Sequence, residues 1–356
     1  EPVPFGTGST AKLKAGVTGM TPTTIRDVAK RAGVGVGTVS RVLNNSPSVR
    51  EVTRQKVLQA IAELDYSPSP TARRLSLGKT LTIAAIVPFF TRPSYVERLR
   101  GIEATIAESQ YDLILFNVET PEKRDQYFRD VPRRERVDGL MIISLSPTDE
   151  DVERFLGARV PTVLIDAHHP RLSRANVDDV SGGRIATQHL IELGHCRIGY
   201  ISDPLENPFR FVSSHNRYTG YRQALDEAGI PFRAEFHQQG EHGRHQAREM
   251  AHTLLSLPEP PTAIFAASDI QAMGVQEAAQ RLGLNVPKDL SVIGYDDIEV
   301  AEYLGMTTVY QRLFESGQEA VRLLLDAIDE PSAEPVRSEM LPQLIVRNTT
   351  SPPANL

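Results

Sequence analysis

The chain has 356 residues, 40% hydrophobic and 24% charged, with a net charge of −6. That balance belongs to a folded chain of two or three domains and excludes an intrinsically disordered one, and no apolar run reaches membrane-spanning length. A single cysteine, Cys196, excludes an internal disulfide framework and points to a reducing cytoplasm.

Residues 1–20 (EPVPFGTGSTAKLKAGVTGM) lack the apolar stretch of a signal peptide. They are expected to be a flexible tail or a cloning remnant, with Met20 as the natural start. Residues 21–78 then hold nine basic and four acidic side chains, a net of +5, while residues 79–356 carry −12. A small basic module on a large acidic body suggests a local contact with a polyanion. Ile25, Val28 and Ala29 form one apolar helical stripe, started by a capping-box spacing at Thr24 and Asp27 and ended by Gly33. Val39, Val42 and Leu43 form a second stripe. Val57, Ile61 and Leu64 form a third, on a helix from about Val52 to Leu64. Helix, glycine turn, helix predicts a helix-turn-helix unit over residues 21–66, with Gly35 to Ser40 aimed at the DNA major groove. Thr38 and Ser40 suit phosphates or bases, Arg41 a guanine edge or a phosphate, Val36 a thymine methyl, and Gly37 close approach.

The stretches TIRDVAKRAGV, TVSRVLN, TRQKVLQAIAELDYSPS and ARRL, in that order within residues 23–78, resemble the N-terminus of the lactose/galactose-repressor (LacI/GalR) family of bacterial transcription regulators. The chain departs from the family pattern at Gly35 and Arg50, where capping Ser or Thr is usual, and at Val36-Gly37, where many members carry polar base readers. The first two departures weaken helix caps. The third removes a side-chain code from which to read the operator. The DNA-facing set implied by the resemblance also takes in Thr24 and Asn44.

Residues 67–79 form a linker. Ser69 suits an N-cap and Pro70 a first helical position, but a helix over residues 70–76 is too short to stand alone. The resemblance makes it a hinge helix that pairs across a homodimer and enters the minor groove. Ser69, Ala72 and Arg73 then face DNA, and Leu75 wedges into a central CpG step of a pseudo-palindromic operator. An ordinary inter-domain linker is the alternative.

From Leu81 onward LTIAAIVP, YDLILFNV, DGLMIIS and VPTVLID alternate with helical patterns, followed by a second series at CRIGYIS, TAIFAAS and LSVIGYD. The expected fold class is therefore α/β, two doubly wound parallel-sheet lobes, behind an all-α helix-turn-helix domain. The resemblance extends to about Val346 and implies a periplasmic-binding-protein-like effector and dimerisation domain over residues 80–347. Its chain crosses between lobes three times, giving a first lobe of about 80–177 and 309–337 and a second of about 178–308 and 338–347. Residues 348–356 form a tail with no heptad repeat for tetramerisation.

Ligands of such folds sit in the cleft at the carboxyl ends of the strands. Asp166 ends a strand, Ser268, Asp269 and Asp296 follow strands, and Arg217 begins the helix after the loop ENPFRFVSSHN. Asp166, Ser213, Arg217, Ser268, Asp296 and Gln311 also match the family's effector-contact positions. Carboxylates with an arginine suit the neighbouring hydroxyls of a sugar or oligosaccharide without excluding a nucleobase. Ser268 and Asp269 equally suit helix capping. Phe89 is placed at the effector site, while Phe89, Phe90, Phe209 and Phe211 all suit sugar stacking or core filling alike.

His237, His242 and His245 read as a solvated loop, with no metal expected. No catalytic motif and no cofactor is expected, so the chain is not read as an enzyme. The expectation is a repressor acting on nucleoid DNA in the cytoplasm and controlled by a small effector. A sugar-binding receptor or transport component is the alternative.

Overall fold

A computed structural model of the chain describes residues 23–44, 46–67, 78–330 and 334–354. The hinge residues Ser69, Ala72, Arg73 and Leu75 lie outside them, as do residues 1–22. The chain divides into two units, Glu1–Gly78 and Lys79–Leu356.

In the first unit α1 (Ile25–Ala32), α2 (Val36–Leu43) and α3 (Glu51–Glu63) close around Val28, Ala29, Val39, Val42, Val57, Ala60 and Tyr66. All three apolar stripes meet there. The Asp27 carboxylate accepts from the Thr24 N–H at 2.9 Å and from its hydroxyl at 2.7 Å. Gly33 takes a φ of +68°, which ends α1 and turns the chain into α2. Arg31 on α1 and Glu63 on α3 pair at 2.5 Å. Neither Gly35 at the start of α2 nor Arg50 at the start of α3 offers a side-chain cap.

The second unit has two lobes. Six parallel strands form the first sheet: β1 (Thr82–Pro88), β2 (Asp112–Val118), β3 (Gly139–Ile143), β4 (Thr162–Ile165), β5 (Ser173–Val177) and, late in the chain, β11 (Arg337–Met340), in the order β11-β5-β4-β3-β1-β2. On one face the helices α4 (Pro93–Ile106) and α12 (Leu313–Asp329) pack on Ile83, Ala85, Met141 and Val163. On the other α5 (Pro121–Asp130) and α6 (Asp149–Ala158) pack on Ile86, Leu140 and Leu164.

The second sheet holds β6 (Ile198–Ser202), β7 (His237–Gln239), β8 (Ala263–Ala266) and β9 (Ser291–Ile293), parallel, in the order β7-β6-β8-β9. The helices α7 (Asp179–Glu192) and α8 (Ser213–Glu227) cover one face, and α9 (Arg244–Leu255) and α10 (Asp269–Arg281) the other. A short α11 (Glu299–Tyr303) follows, and β10 (Thr308–Tyr310) and β12 (Gln343–Ile345) pair antiparallel. The chain crosses between lobes after β5, after β10 and after β11.

The return to the first lobe ends at Met340, three residues past the expected boundary at 337, because Arg337–Met340 pairs in parallel with β5. The strand is RSEM at a sheet edge, so no apolar run marked it.

Candidate functional site

On α2 the inward positions Val39 and Val42 are buried, while Val36 (43% exposed), Gly37 and Arg41 face outward and Thr38 and Ser40 are half-buried. Asn44 and Thr24 are exposed. The Thr24 hydroxyl is engaged with Asp27. A Cβ at Gly35 or Gly37 would meet no atom within 4 Å, and Gly35 has an ordinary φ of −72°. A glycine inside a helix costs about 1 kcal/mol relative to alanine. Nothing in the packing of this unit calls for one at position 37.

In the second unit, residues from both lobes line a small cavity of about 60 Å³. The first-lobe strands end there in strained backbone. Phe89 after β1, Ser144 after β3 and Asp166 after β4 have φ of 41°, 55° and 52°, and on the second lobe Asp296 and Asp297 have 118° and 55°. Left-handed conformations at non-glycine residues cost about 1–3 kcal/mol each and gather where function holds them.

The first-lobe wall is Asp166, whose carboxylate accepts from the Ser144 hydroxyl at 2.8 Å and lies 3.6 Å from the Arg98 guanidinium. Arg98, 2% exposed on α4, also donates to Ser316 on α12 at 3.0 Å.

The second-lobe wall is built around Arg217 on α8. Its Nε donates to Asp179 at 2.8 Å and its Nη1 to the Ala267 carbonyl at 2.7 Å. Its Nη2 reaches Gln311 at 3.4 Å, Asp296 lies 3.9 Å away, and the guanidinium sits 3.9 Å over the Tyr295 ring. Gln311 in turn donates to Asp296, and the Tyr295 hydroxyl donates to Asp179 at 2.8 Å. Two glycines make this contact possible. A Cβ at Gly183 on α7 would strike the backbone of Arg217, and one at Gly220 would strike the backbone of α7. The close approach of α7 and α8 puts Asp179 beside Arg217.

Burial pushes the Asp296 carboxyl up to about 6, against the opposing pull of Arg217 and His242. Burial also raises Asp179, partly offset by Arg217. Burial works against the Arg217 charge, yet Asp179, Tyr295 and Asp296 together hold its proton more firmly than usual. A third carboxylate, Asp203, meets His242 Nδ1 at 3.2 Å and accepts from Gln271 at 3.0 Å.

Asp166, Ser213, Arg217, Ser268, Asp296 and Gln311 are all brought to this cavity. Ser268 lines the cavity and also caps α10, accepting from the Gln271 N–H at 3.2 Å. Asp269 is buried behind the wall, where it holds Thr308 and the Ile298 N–H.

Phe89 is not on the cavity wall. Its left-handed backbone sets the ring edge-on against Phe209, centroids 5.4 Å apart, with Arg92 stacked over it at 4.2 Å. Phe211 and Arg92 reach the wall instead. His242 is on the wall rather than in solvent, because Asp203 at the end of β6 holds it. His237 stacks on Tyr218 at 4.5 Å and is pushed down to about 4 by burial. Among the described residues no group of His, Cys, Asp and Glu is placed to hold a metal ion, and no helix is long and apolar enough to cross a membrane.

Arg98, Asp179, Asp203 and Gln271 are further site residues that the sequence did not mark. Arg98 and Gln271 lie inside helical patterns. Asp179 carries no signal by itself, since its partner Arg217 is 38 residues away.

A family model for bacterial regulatory proteins, lacI family, matches residues 24–69, and one for a periplasmic binding protein-like domain matches residues 187–350. The ribose operon repressor of Escherichia coli (strain K12) is 36% identical over 333 residues, 92% of this chain and 99% of the relative. The solved complex of the transcriptional regulator CelR with cellobiose is 33% identical, with a TM-score of 0.69 over 92% of this chain and 99% of that one. The lac repressor dimer bound to operator and the anti-inducer ONPF is 28% identical, with a TM-score of 0.81 over 93% and 100%.

Proposed function

The chain belongs to the LacI family of bacterial regulatory proteins and is a DNA-binding transcriptional regulator, and from that premise we propose that it is a repressor whose operator affinity is set by a polyhydroxylated effector, a sugar or oligosaccharide, bound between its lobes. One observation carries the effector class. A carboxylate from each lobe, Asp166 and Asp296, faces one cavity, each backed by a buried arginine. Carboxylates accept from neighbouring hydroxyls and guanidinium groups donate to them, and the two lobes supply one such pair each. The sugars named in similar proteins, ribose in the repressor and cellobiose in the solved complex, support the same class.

The proposed assembly is a homodimer on a pseudo-palindromic operator in cytoplasmic, nucleoid DNA. Val36, Gly37, Thr38, Ser40, Arg41 and Asn44 lie in the major groove, with Thr24 at the flanking backbone. The hinge residues Ser69, Ala72, Arg73 and Leu75 enter the minor groove at a central CpG step. A receptor or transport role for the same cleft leaves the matched module at residues 24–69 without a task. The effector acts through its differential affinity for two lobe arrangements, a coupling of about 1–3 kcal/mol.

Calorimetric titration of the full chain with a panel of pentoses, hexoses and disaccharides tests the effector class. Saturable binding that Arg217→Ala abolishes supports it. Binding of purines with no sugar bound overturns it.

A further inference from the structure

We infer that the loop over residues 203–212 is an aromatic clasp that ties the two lobes together and sets Phe211 as one wall of the effector cavity, with Phe209 as the positioning residue. The inference rests on the reading that the effector enters this cavity. The loop leaves the second lobe after β6, yet Phe209, 8% exposed, is buried in the first-lobe core with Ile86, Val118 and Leu145. Its ring meets Phe89 of the first lobe edge-on at 5.4 Å and stacks on Phe211 at 5.3 Å, the planes 11° apart. Phe211 lines the cavity, and so does Arg92, which lies over Phe89. The stack therefore starts at the cavity with Phe211, crosses the lobe boundary at Phe209–Phe89, and returns to the cavity through the Arg92 guanidinium over Phe89.

The loop is built to hold this shape. Asn207-Pro208-Phe209-Arg210 is a tight turn closed by the Arg210 N–H on the Asn207 carbonyl at 3.1 Å, with proline at its favoured second position. The Asn207 side chain accepts from the Phe211 N–H at 2.9 Å and donates to its carbonyl at 3.3 Å. Leu205 N–H donates to Gln239, which fixes the loop to β7. Arg210, with a φ of 59°, lets the two phenylalanines on either side turn to the same stack.

Phe209 stays buried only while the lobes are together, because apart from Phe211 its partners belong to the other lobe. The apolar area it hides is a driving force for closure that needs no ligand. A receptor already closed spends less of the ligand's affinity on closing, since apparent affinity scales with the populated fraction of the competent state.

The test places one spin label on Cys196, which is exposed on the second lobe and is the chain's sole cysteine, and one on Glu122→Cys, exposed on α5 of the first. The inter-label distance is then measured by pulsed electron resonance on the ligand-free full chain. A single narrow distance is expected, becoming longer or broader with Phe209→Ala and nearly restored with Phe209→Leu. Phe89→Ala removes the same contact from the other lobe and should reproduce the change, which keeps the test open if Phe209→Ala fails to fold. Distances unchanged by both alanine variants overturn the clasp. Sugar affinity falling about tenfold in Phe209→Ala supports its role in binding. A shifted distance in a protein that binds no sugar upholds the clasp and overturns the effector reading.

Discussion

The outward face of α2 and the wall of the inter-lobe cavity solve recognition in opposite ways. The face of α2 is exposed and lightly furnished, with Val36, Gly37 and Arg41 turned outward and a glycine that no internal packing requires. The cavity is crowded and buried, and its charges are engaged with one another. Arg217 uses all three nitrogen positions on Asp179, Ala267 and Gln311. A bare face takes its energy from whatever comes to it. A crowded one must exchange the bonds it already has, so its affinity is a difference between two well-satisfied states. Substitutions in the cavity should therefore act on stability and binding together, and those on α2 on binding alone.

The largest effect is expected at Arg217. Arg217→Ala leaves Asp179 and Asp296 buried without their cation, and removing one partner of a buried pair costs about 3–5 kcal/mol. Thermal unfolding of the full chain should show the second unit losing stability with effector binding abolished. The first unit's transition should be unmoved. An unchanged melting profile would break the contrast at its strong end.

Asp296→Asn separates charge from shape. The wild-type carboxyl is raised to about 6 by burial, so the folded chain binds this proton more readily than the unfolded chain does. Its contribution to stability is therefore greatest below the unfolded value and is lost as pH rises through about 6. Asparagine removes the titration. The variant should gain stability relative to wild type between pH 4 and 7, on the order of 1–3 kcal/mol, while losing effector affinity. Denaturant unfolding at several pH values reads the slope, and equal slopes in the two proteins contradict it.

On α2, Arg41→Ala should weaken operator binding by about 10–100-fold, a cost of about 1–3 kcal/mol for a lost base or phosphate contact. Its melting profile and effector affinity should match wild type. A drop in the stability of the first unit would move Arg41 from the bare face to the supporting core. The smallest effect sharpens the comparison most. Gly37→Ala should stabilise the first unit by about 1 kcal/mol, because alanine is the better helix former and its Cβ meets nothing. Operator affinity should nevertheless fall, as the added methyl stands where the DNA backbone or base edge approaches. Tighter operator binding would remove the proposed reason for that glycine.

The two regions also differed in how far they could be read from residues alone. The three helical stripes of the first unit meet in one core because a short helix can bury only one face, and a 3.6-residue period shows which. The apolar strands β1, β3 and β4 were legible for a similar reason, being buried on both faces, and β2 by its apolar run alone, since as an edge strand it leaves Ile114 and Leu115 exposed. The polar strands β5 (SRANV) and, at the sheet edge, β11 (RSEM) carry no such signal, and β11 decides where the chain leaves the first lobe for the second time.

At the cavity, residues at strand ends and the start of α8 were reachable by fold logic, and resemblance added Ser213 and Gln311. Asp179 was not, because its role depends on two glycines that let α7 and α8 touch. His242 and Phe89 exchanged places with expectation for local reasons. A carboxylate at the end of β6 holds the histidine in, and a left-handed backbone together with Phe209 and Arg92 keeps the phenylalanine out of the wall.

The central claim is that occupancy of the buried site is felt at the exposed one. It is tested most directly by selecting an operator from random DNA with the full chain, then measuring its dissociation constant with and without a saturating sugar that the cavity binds. The account predicts a pseudo-palindromic operator and a change in its affinity of at least about fivefold, the lower end of typical coupling. An operator bound equally well by the empty and the sugar-saturated protein would contradict it.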